Sequence, residues 1–274
     1  MLRALQTAAA LPLVLAAVAT LQPAGSTGDT QLAMGGTAPA APTKAVGEAI
    51  ELKTRDNQEL HATFFAPKKK GYRAPAALLV HGAGEDRKEL DKIGISLQKR
   101  GFAVLSIDLR GHGESSRTEC NWTKLSEEDR ERTWAYSLRD LAAGASFLRS
   151  REDVHTSNLS IVGVRSGSTI AVRYAHSDEN TRALVLVAPK ASELGFDVSA
   201  DLNELGGLPT LILASKDGRN LAERMQLAAH SANDDLPFVT VKCLRKKSED
   251  VLGDKRLNSE LSRWLKDTVL PKKR

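Results

Sequence analysis

Apolar and polar positions follow two different patterns along this chain. Residues 48–54 and 59–67 tend to alternate between apolar and polar side chains, and turn-forming residues separate the two runs. Alternation of this kind is typical of half-buried strands, so the two runs predict an antiparallel β-hairpin. Beyond residue 67 the apolar residues come in short continuous runs, which are typical of strands buried on both faces of a sheet.

These buried runs alternate with segments of helical periodicity. The predicted elements, in order, are strand 76–80, helix 90–99, strand 102–107, helix 134–149, strand 159–164, helix 168–176, strands 183–187 and 210–214, helix 221–232, strand 238–243 and helix 257–267. Strands that alternate with helices indicate a mostly parallel, doubly wound sheet with helices on both faces. The sequence therefore predicts an α/β fold, in one domain that spans residues 46–270.

The first 45 residues differ from the rest of the chain. Residues 1–24 hold one charge, Arg3, within a run rich in Ala, Leu and Val, which predicts a secretory signal peptide. Residues 25–45 are rich in Gly, Thr, Ala and Pro, which predicts a flexible linker. We therefore expect an exported protein, periplasmic or extracellular; the alternative is a protein anchored to the membrane by an uncleaved N-terminal segment.

Composition and charge narrow the classes of function. Of the 274 residues, 41% are hydrophobic, 27% are charged and 4% are aromatic, and the net charge is +5. So few aromatic residues argue against binding of nucleic acid by stacking, and the small charge surplus indicates a solvated surface. No metal-ligand spacing is present, and Gly82-Ala83-Gly84 lacks the full dinucleotide-binding spacing, so neither a metal nor a cofactor is predicted.

Chemistry in a doubly wound sheet collects at the carboxyl ends of the strands. Four predicted strands end in turns of small and polar residues: VHGAG at 80–84, DLRGHGES at 108–115, GVRSG at 163–167 and SKDG at 215–218. In this order the turns resemble those of the α/β-hydrolase superfamily, in particular its dienelactone-hydrolase-like and serine-aminopeptidase-like members. The resemblance implies an eight-stranded sheet of order 1-2-4-3-5-6-7-8, an antiparallel N-terminal hairpin and little or no cap.

The resemblance fails at the residue that would carry catalysis. In the family, the turn after the fifth strand is a G-x-S-x-G elbow whose serine is the nucleophile. Here Arg165 stands between Gly163 and Gly167, and a guanidinium has no lone pair with which to attack a carbonyl. A shift by one residue would make Ser166 the nucleophile, but it would place the β-branched Val164 in a tight part of the turn. We therefore predict Arg165 at the tip of the elbow.

The other two triad positions give different results. Asp217 lies where the family commonly carries its triad carboxylate, although a loop aspartate near a helix start is an equally good interpretation. Residues 243–250, which correspond to the family's late histidine loop, contain no histidine. His81 and His112 belong to turn motifs, in which the resemblance implies loop-shaping hydrogen bonds. Two of the three triad positions are thus lost, which predicts a pseudoenzyme similar to some exported bacterial α/β-hydrolase-like proteins.

Two arrangements of the remaining site residues stay open. Arg165 could form an ion pair with Asp217 that holds the loops together. Alternatively, Arg165 could bind an anionic ligand together with the backbone N–H groups of Ser166 and Ala83, the oxyanion-hole pair that the resemblance implies, with Asp217 and His81 in the same pocket.

The two cysteines are predicted to be free thiols. The family strand order separates Cys120, after the fourth strand, from Cys243, at the end of the eighth, by roughly 24 Å. A disulfide needs Cα atoms within about 7 Å of each other.

We therefore predict an exported α/β-hydrolase-fold protein without serine-hydrolase catalysis, which binds a small anionic ligand or a protein partner. The first alternative is an active esterase or peptidase that uses Ser166 and a histidine such as His112. The second is an envelope protein that binds a partner through its basic tail, residues 271–274.

Overall fold

The computed structural model describes residues 47–68, 71–234 and 236–270. The predicted signal peptide and linker, and the basic tail at 271–274, lie outside these ranges and remain predictions. Among the described helices, none combines the length and the apolar character that crossing a membrane requires.

Eight strands form the central sheet. Their bounds are β1 Glu48–Lys53, β2 Glu59–Phe65, β3 Ala74–Val80, β4 Ala103–Ile107, β5 Val154–Val164, β6 Thr181–Val187, β9 Thr210–Ala214 and β10 Val239–Cys243. Their order is β1-β2-β4-β3-β5-β6-β9-β10, in which β1 and β2 pair antiparallel with their neighbours and the other pairs are parallel. β9 and β10 are the seventh and eighth strands of this sheet in chain order. The order is therefore 1-2-4-3-5-6-7-8, which confirms the predicted sheet and its N-terminal hairpin.

Within the described ranges, six α-helices accompany the sheet: α1 Asp91–Lys99, α2 Glu127–Ser150, α3 Gly167–Ser177, α4 Val198–Asn203, α5 Arg219–Ser231 and α6 Leu257–Val269. Helix α2 begins seven residues earlier than its apolar pattern predicts, at Glu127. The side chain of Ser126 accepts the N–H of Asp129, and the first turn is acidic, so capping and the helix dipole extend the helix beyond its buried stripe.

The core consists of one apolar layer on each face of the sheet. Alternate residues of a strand point to opposite faces, so that Leu78 belongs to the layer under α2 and α3, whereas Leu79 belongs to the layer under α1 and α6. Every residue of β3 is buried. Burial on both faces explains why the parallel strands appear in the sequence as continuous apolar runs.

The segment between β6 and β9 contains structure that the pattern did not predict. Strands β7 (Ser192–Glu193) and β8 (Phe196–Asp197) form a two-stranded ribbon, and α4 follows directly. On α4, Asp201 forms an ion pair of 2.6 Å with Arg173 of α3. Elements of two to six residues are too short to show a period, so tertiary contacts decide them.

Both cysteines are free thiols, as predicted.

Candidate functional site

Arg165 lies at the tip of the sharp turn between β5 and α3. Its φ angle is +50°, in the left-handed region that residues other than glycine rarely adopt. The flanking glycines make the turn possible: a Cβ on Gly163 would lie 2.6 Å from the Gly167 carbonyl oxygen, and a Cβ on Gly167 would lie 2.5 Å from the carbonyl oxygens of Val80 and His81. The structure thus places Arg165 where the elbow of a hydrolase carries its nucleophile.

The Arg165 side chain connects three loops. Its Nη1 forms an ion pair with the Glu85 carboxylate, its Nε donates to the Ser248 carbonyl at 3.0 Å, and its Nη2 donates to the Glu249 carbonyl at 2.8 Å. Glu89 adds a second carboxylate 3.7 Å from Nη1. Each guanidinium nitrogen therefore has a partner, and we call this arrangement the Arg165 clamp.

The ion-pair partner of Arg165 is Glu85, and not Asp217 as in one of the two predicted arrangements. The turn after β3 folds back so that the Gly82 N–H donates to Glu85 Oε2 at 2.9 Å, which leaves the other carboxylate oxygen for Arg165. The Glu85 side chain is only 15% exposed, so it is part of the site rather than of a solvated surface.

Asp217 is exposed and accepts the Ser248 N–H at 3.1 Å. A hydrogen bond from Ser215 lowers the pKa of this carboxyl. Because Arg165 binds the Ser248 carbonyl, the backbone of Ser248 links Arg165 to Asp217. The positions that would form the triad therefore lie close together, joined by backbone groups.

His81 and His112 form hydrogen bonds to backbone groups of the loops that follow β3 and β4. His81 Nε2 accepts the Leu109 N–H at 3.0 Å, so its Nδ1 carries the proton that is donated to the Gly82 carbonyl at 2.7 Å. His112 Nδ1 bonds the Arg110 carbonyl at 2.9 Å, its ring lies 4.6 Å from that of Trp122, and its Nε2 has no hydrogen-bond partner within the described ranges. Burial lowers the pKa of each imidazole to about 4.

Acidification is expected to destabilise the protein between pH 6.5 and pH 4 through these imidazoles. Their pKa is about 4 in the folded state and about 6.5 in the unfolded chain, so in this range the unfolded chain binds more protons and the free energy of unfolding falls as the pH falls. Urea unfolding at pH 7 and pH 4.5 measures the loss. His112→Gln should reduce the loss by on the order of 2 kcal/mol relative to the wild type; an unchanged loss would contradict this assignment.

The segment 108–115 fixes the loop after β4 through buried ion pairs and hydrogen bonds, and we call this arrangement the lock. Asp108 is buried, accepts the backbone N–H groups of Arg87 at 2.7 Å and Glu114 at 2.8 Å, and forms an ion pair with the buried Arg87 guanidinium. Arg110 forms an ion pair of 2.6 Å with the fully buried Asp140. The motif therefore shapes the loop after β4, which in turn supports His81 through Leu109.

Ser166 follows the elbow tip with helical backbone angles and is the N-cap residue of α3. The backbone N–H groups of Ser166 and Ala83 have no hydrogen-bond partner among the described residues. All six histidines of the chain are described, and none of them is hydrogen-bonded to the Ser166 hydroxyl. Two backbone donors are thus unpaired at the positions that the resemblance assigns to an oxyanion hole, whereas the pairing that would activate Ser166 as a nucleophile is absent from the described residues.

The family model described as serine aminopeptidase, S33, matches residues 73–233, more than half of the chain. The chain belongs to this family of α/β-hydrolases. No curated protein matches the sequence.

Solved structures show the same fold as this S33-family protein. An esterase from Pyrococcus furiosus has a TM-score of 0.62 at 17% identity, over 81% of this chain and 91% of that one. A protein named as a dienelactone hydrolase from Klebsiella pneumoniae has a TM-score of 0.58 at 16% identity, over 79% and 96%. The acylaminoacyl peptidase of Pyrococcus horikoshii has a TM-score of 0.65 at 14% identity, over 83% of this chain but 42% of its own. At these identities the likeness concerns the fold alone.

Sequence reasoning about this S33-family protein missed Glu85 and Ser248. Glu85 lies 80 residues from Arg165, and Ser248 joins the clamp through its backbone, so neither residue type signals the contact. One usable signal existed: the Gly-Ala-Gly turn before Glu85 allows the chain to fold back on itself. Within the described ranges, no group of three or more His, Cys, Asp or Glu side chains is arranged to hold a metal ion.

Proposed function

We propose that this S33-family protein is a non-catalytic member that binds a ligand at the carboxyl edge of its sheet. The observation that carries the proposal is the Arg165 clamp: the elbow tip holds a guanidinium whose three nitrogens are bound to Glu85, Ser248 and Glu249. Acyl transfer needs a nucleophile within hydrogen-bond reach of a base. The unpartnered N–H groups of Ala83 and Ser166 support the binding half of the proposal.

The ligand class follows from this donor pair. In a serine hydrolase such N–H groups stabilise the oxyanion that forms after nucleophilic attack. Without an attacking serine, the same donors bind a carboxylate or another anionic oxygen that does not react. Arg165 contributes little electrostatic attraction to this ligand, because the Glu85 carboxylate neutralises the charge of its guanidinium. A small carboxylate-bearing molecule is therefore the ligand that we propose.

The compartment is part of the same proposal. The signal peptide expected over residues 1–24 supports a binding module that acts outside the cytoplasm, either free or held at the membrane by the retained segment. No sequence feature supports a nucleic-acid partner.

The absence of catalysis is tested with a fluorophosphonate probe and intact-mass measurement on the folded protein. We expect no adduct on the wild type, because the Ser166 hydroxyl has no base to activate it. We also expect none on Arg165→Ser, since residues 243–250 provide no histidine. An active serine hydrolase labelled in parallel shows that the probe works, and a stoichiometric wild-type adduct that Ser166→Ala abolishes would establish the active-enzyme alternative.

The ligand class is tested on the same protein, labelled with ¹⁵N and titrated with acetate. The amide signals of Ala83 and Ser166 should shift together and saturate, whereas sodium chloride of equal ionic strength should leave them in place. Equal responses to the two salts would exclude the donor pair as an anion site.

A further inference from the structure

Strands β5 and β6 pair irregularly at their amino ends. Leu159 lies opposite Thr181, but the next residue, Ser160, lies opposite Ala183, so Arg182 is an additional residue in β6. This arrangement is a β-bulge, which is rare between parallel strands and redirects the side chain of the extra residue. The bulge thus lies at the amino-terminal end of this strand pair, whereas the elbow follows the carboxyl-terminal end of β5.

The Arg182 side chain is anchored at one nitrogen. Its Nε donates to the Ser157 carbonyl at 2.9 Å, whereas Nη1 and Nη2 have no partner among the described residues. The Ser157 N–H donates to His155 Nδ1 at 3.3 Å, so the neutral imidazole carries its proton on Nε2. The local backbone thus orients a guanidinium and an imidazole whose outer N–H groups remain available.

These groups face a cavity of about 330 Å³, which we call the Arg182 pocket. The residues that line it are His155, Ser157, Asn158, Arg182, Pro209, Thr268 and Val269. Asn158 closes one side, because its Nδ2 donates to the Val269 carbonyl at 3.1 Å and ties the end of α6 to β5. None of the described lining residues is acidic, and the volume is within the range of small-ligand sites.

We propose that the Arg182 pocket binds the phosphate group of a ligand. An arginine presents its two outer nitrogens as a fork that fits two phosphate oxygens. The imidazole N–H and the hydroxyl groups of Ser157 and Thr268 supply further donors, more than the two oxygens of a carboxylate can accept.

The proposal is tested by calorimetric titration of the full-length protein with inorganic phosphate. Arg182→Gln should weaken binding about tenfold or more, since it removes the charge-assisted fork. Arg182→Lys should recover only part of the affinity, because it restores the charge without the fork. Arg224→Gln, at an exposed arginine of α5, is the matched control and should bind as the wild type does.

Vesicles distinguish the source of the phosphate group. Binding to phosphatidylcholine vesicles that contain phosphatidic acid, and its loss in Arg182→Gln, would indicate a lipid headgroup. Binding of inorganic phosphate without binding of these vesicles would indicate a soluble phosphate ester. His155→Gln is a second variant, which keeps Arg182 and should also weaken phosphate binding. The proposal fails if the wild type does not bind phosphate, or if Arg182→Gln and Arg224→Gln weaken it equally.

Discussion

Replacement of Gly167 with alanine is expected to remove a large part of the stability of this protein. The new Cβ would lie 2.5 Å from two carbonyl oxygens, those of Val80, the last residue of the fully buried strand β3, and of His81, which follows it. Backbone atoms of a central strand cannot move aside as the end of a flexible side chain can. We expect a loss on the order of 3–5 kcal/mol, a large part of the 5–15 kcal/mol that is typical of a folded protein.

Urea unfolding measures this loss, and Gly253→Ala is the control. A Cβ on Gly253 would meet no atom of the described residues within 4 Å, so that variant should change the free energy of unfolding by less than about 0.5 kcal/mol. Equal stability of the two variants would show that the elbow can move away from β3, which would contradict the rigid geometry that places Arg165.

Asp108→Ala is expected to have the second large effect, again on the order of 3–5 kcal/mol. Asp108 and its partner Arg87 have side chains that are 1% and 5% exposed. Truncation would leave the Arg87 guanidinium buried without the partner that its charge requires, and would also leave the backbone N–H groups of Arg87 and Glu114 unpaired. The exposed partner of Arg87, Glu114, can compensate only in part.

The matched control is Glu59→Ala, which removes an ion pair with Arg117 at the surface. Its side chains are 63% and 45% exposed, so water screens the pair and we expect a change below about 1 kcal/mol. Thermal and urea unfolding of both variants measure the difference. Similar small effects would mean that the segment 108–115 does not lock the loop.

The lock and the candidate site are connected through one short segment. Arg87 follows Glu85 by two residues, so the pair of Arg87 and Asp108 fixes the backbone that presents Glu85 to Arg165. Loss of Asp108 should therefore loosen the Arg165 clamp as well as the core. A left-handed residue at the elbow is strained, and the contacts of Arg165 with the loops that carry Glu85 and Ser248 offset this strain.

Sequence alone determined the fold and the position of the elbow. Strands buried on both faces must be apolar throughout, so the parallel sheet was visible as continuous runs, and its order followed from the family resemblance. The glycines at 163 and 167 are required by contacts that no larger residue permits, so they marked the turn and put Arg165 at its tip. These features depend on residues that are close in sequence or on general packing rules.

Tertiary structure decided what the elbow residue does. Arg165 could have paired with any acidic residue on the neighbouring loops, and only the folded backbone brings Glu85, rather than Asp217, against it. The same is true of α4 and of the bulge at Arg182, since short elements and register shifts follow from contacts between distant segments. Local sequence sets which backbone shapes are possible, whereas the partner of a charged side chain depends on the distances that the complete fold creates.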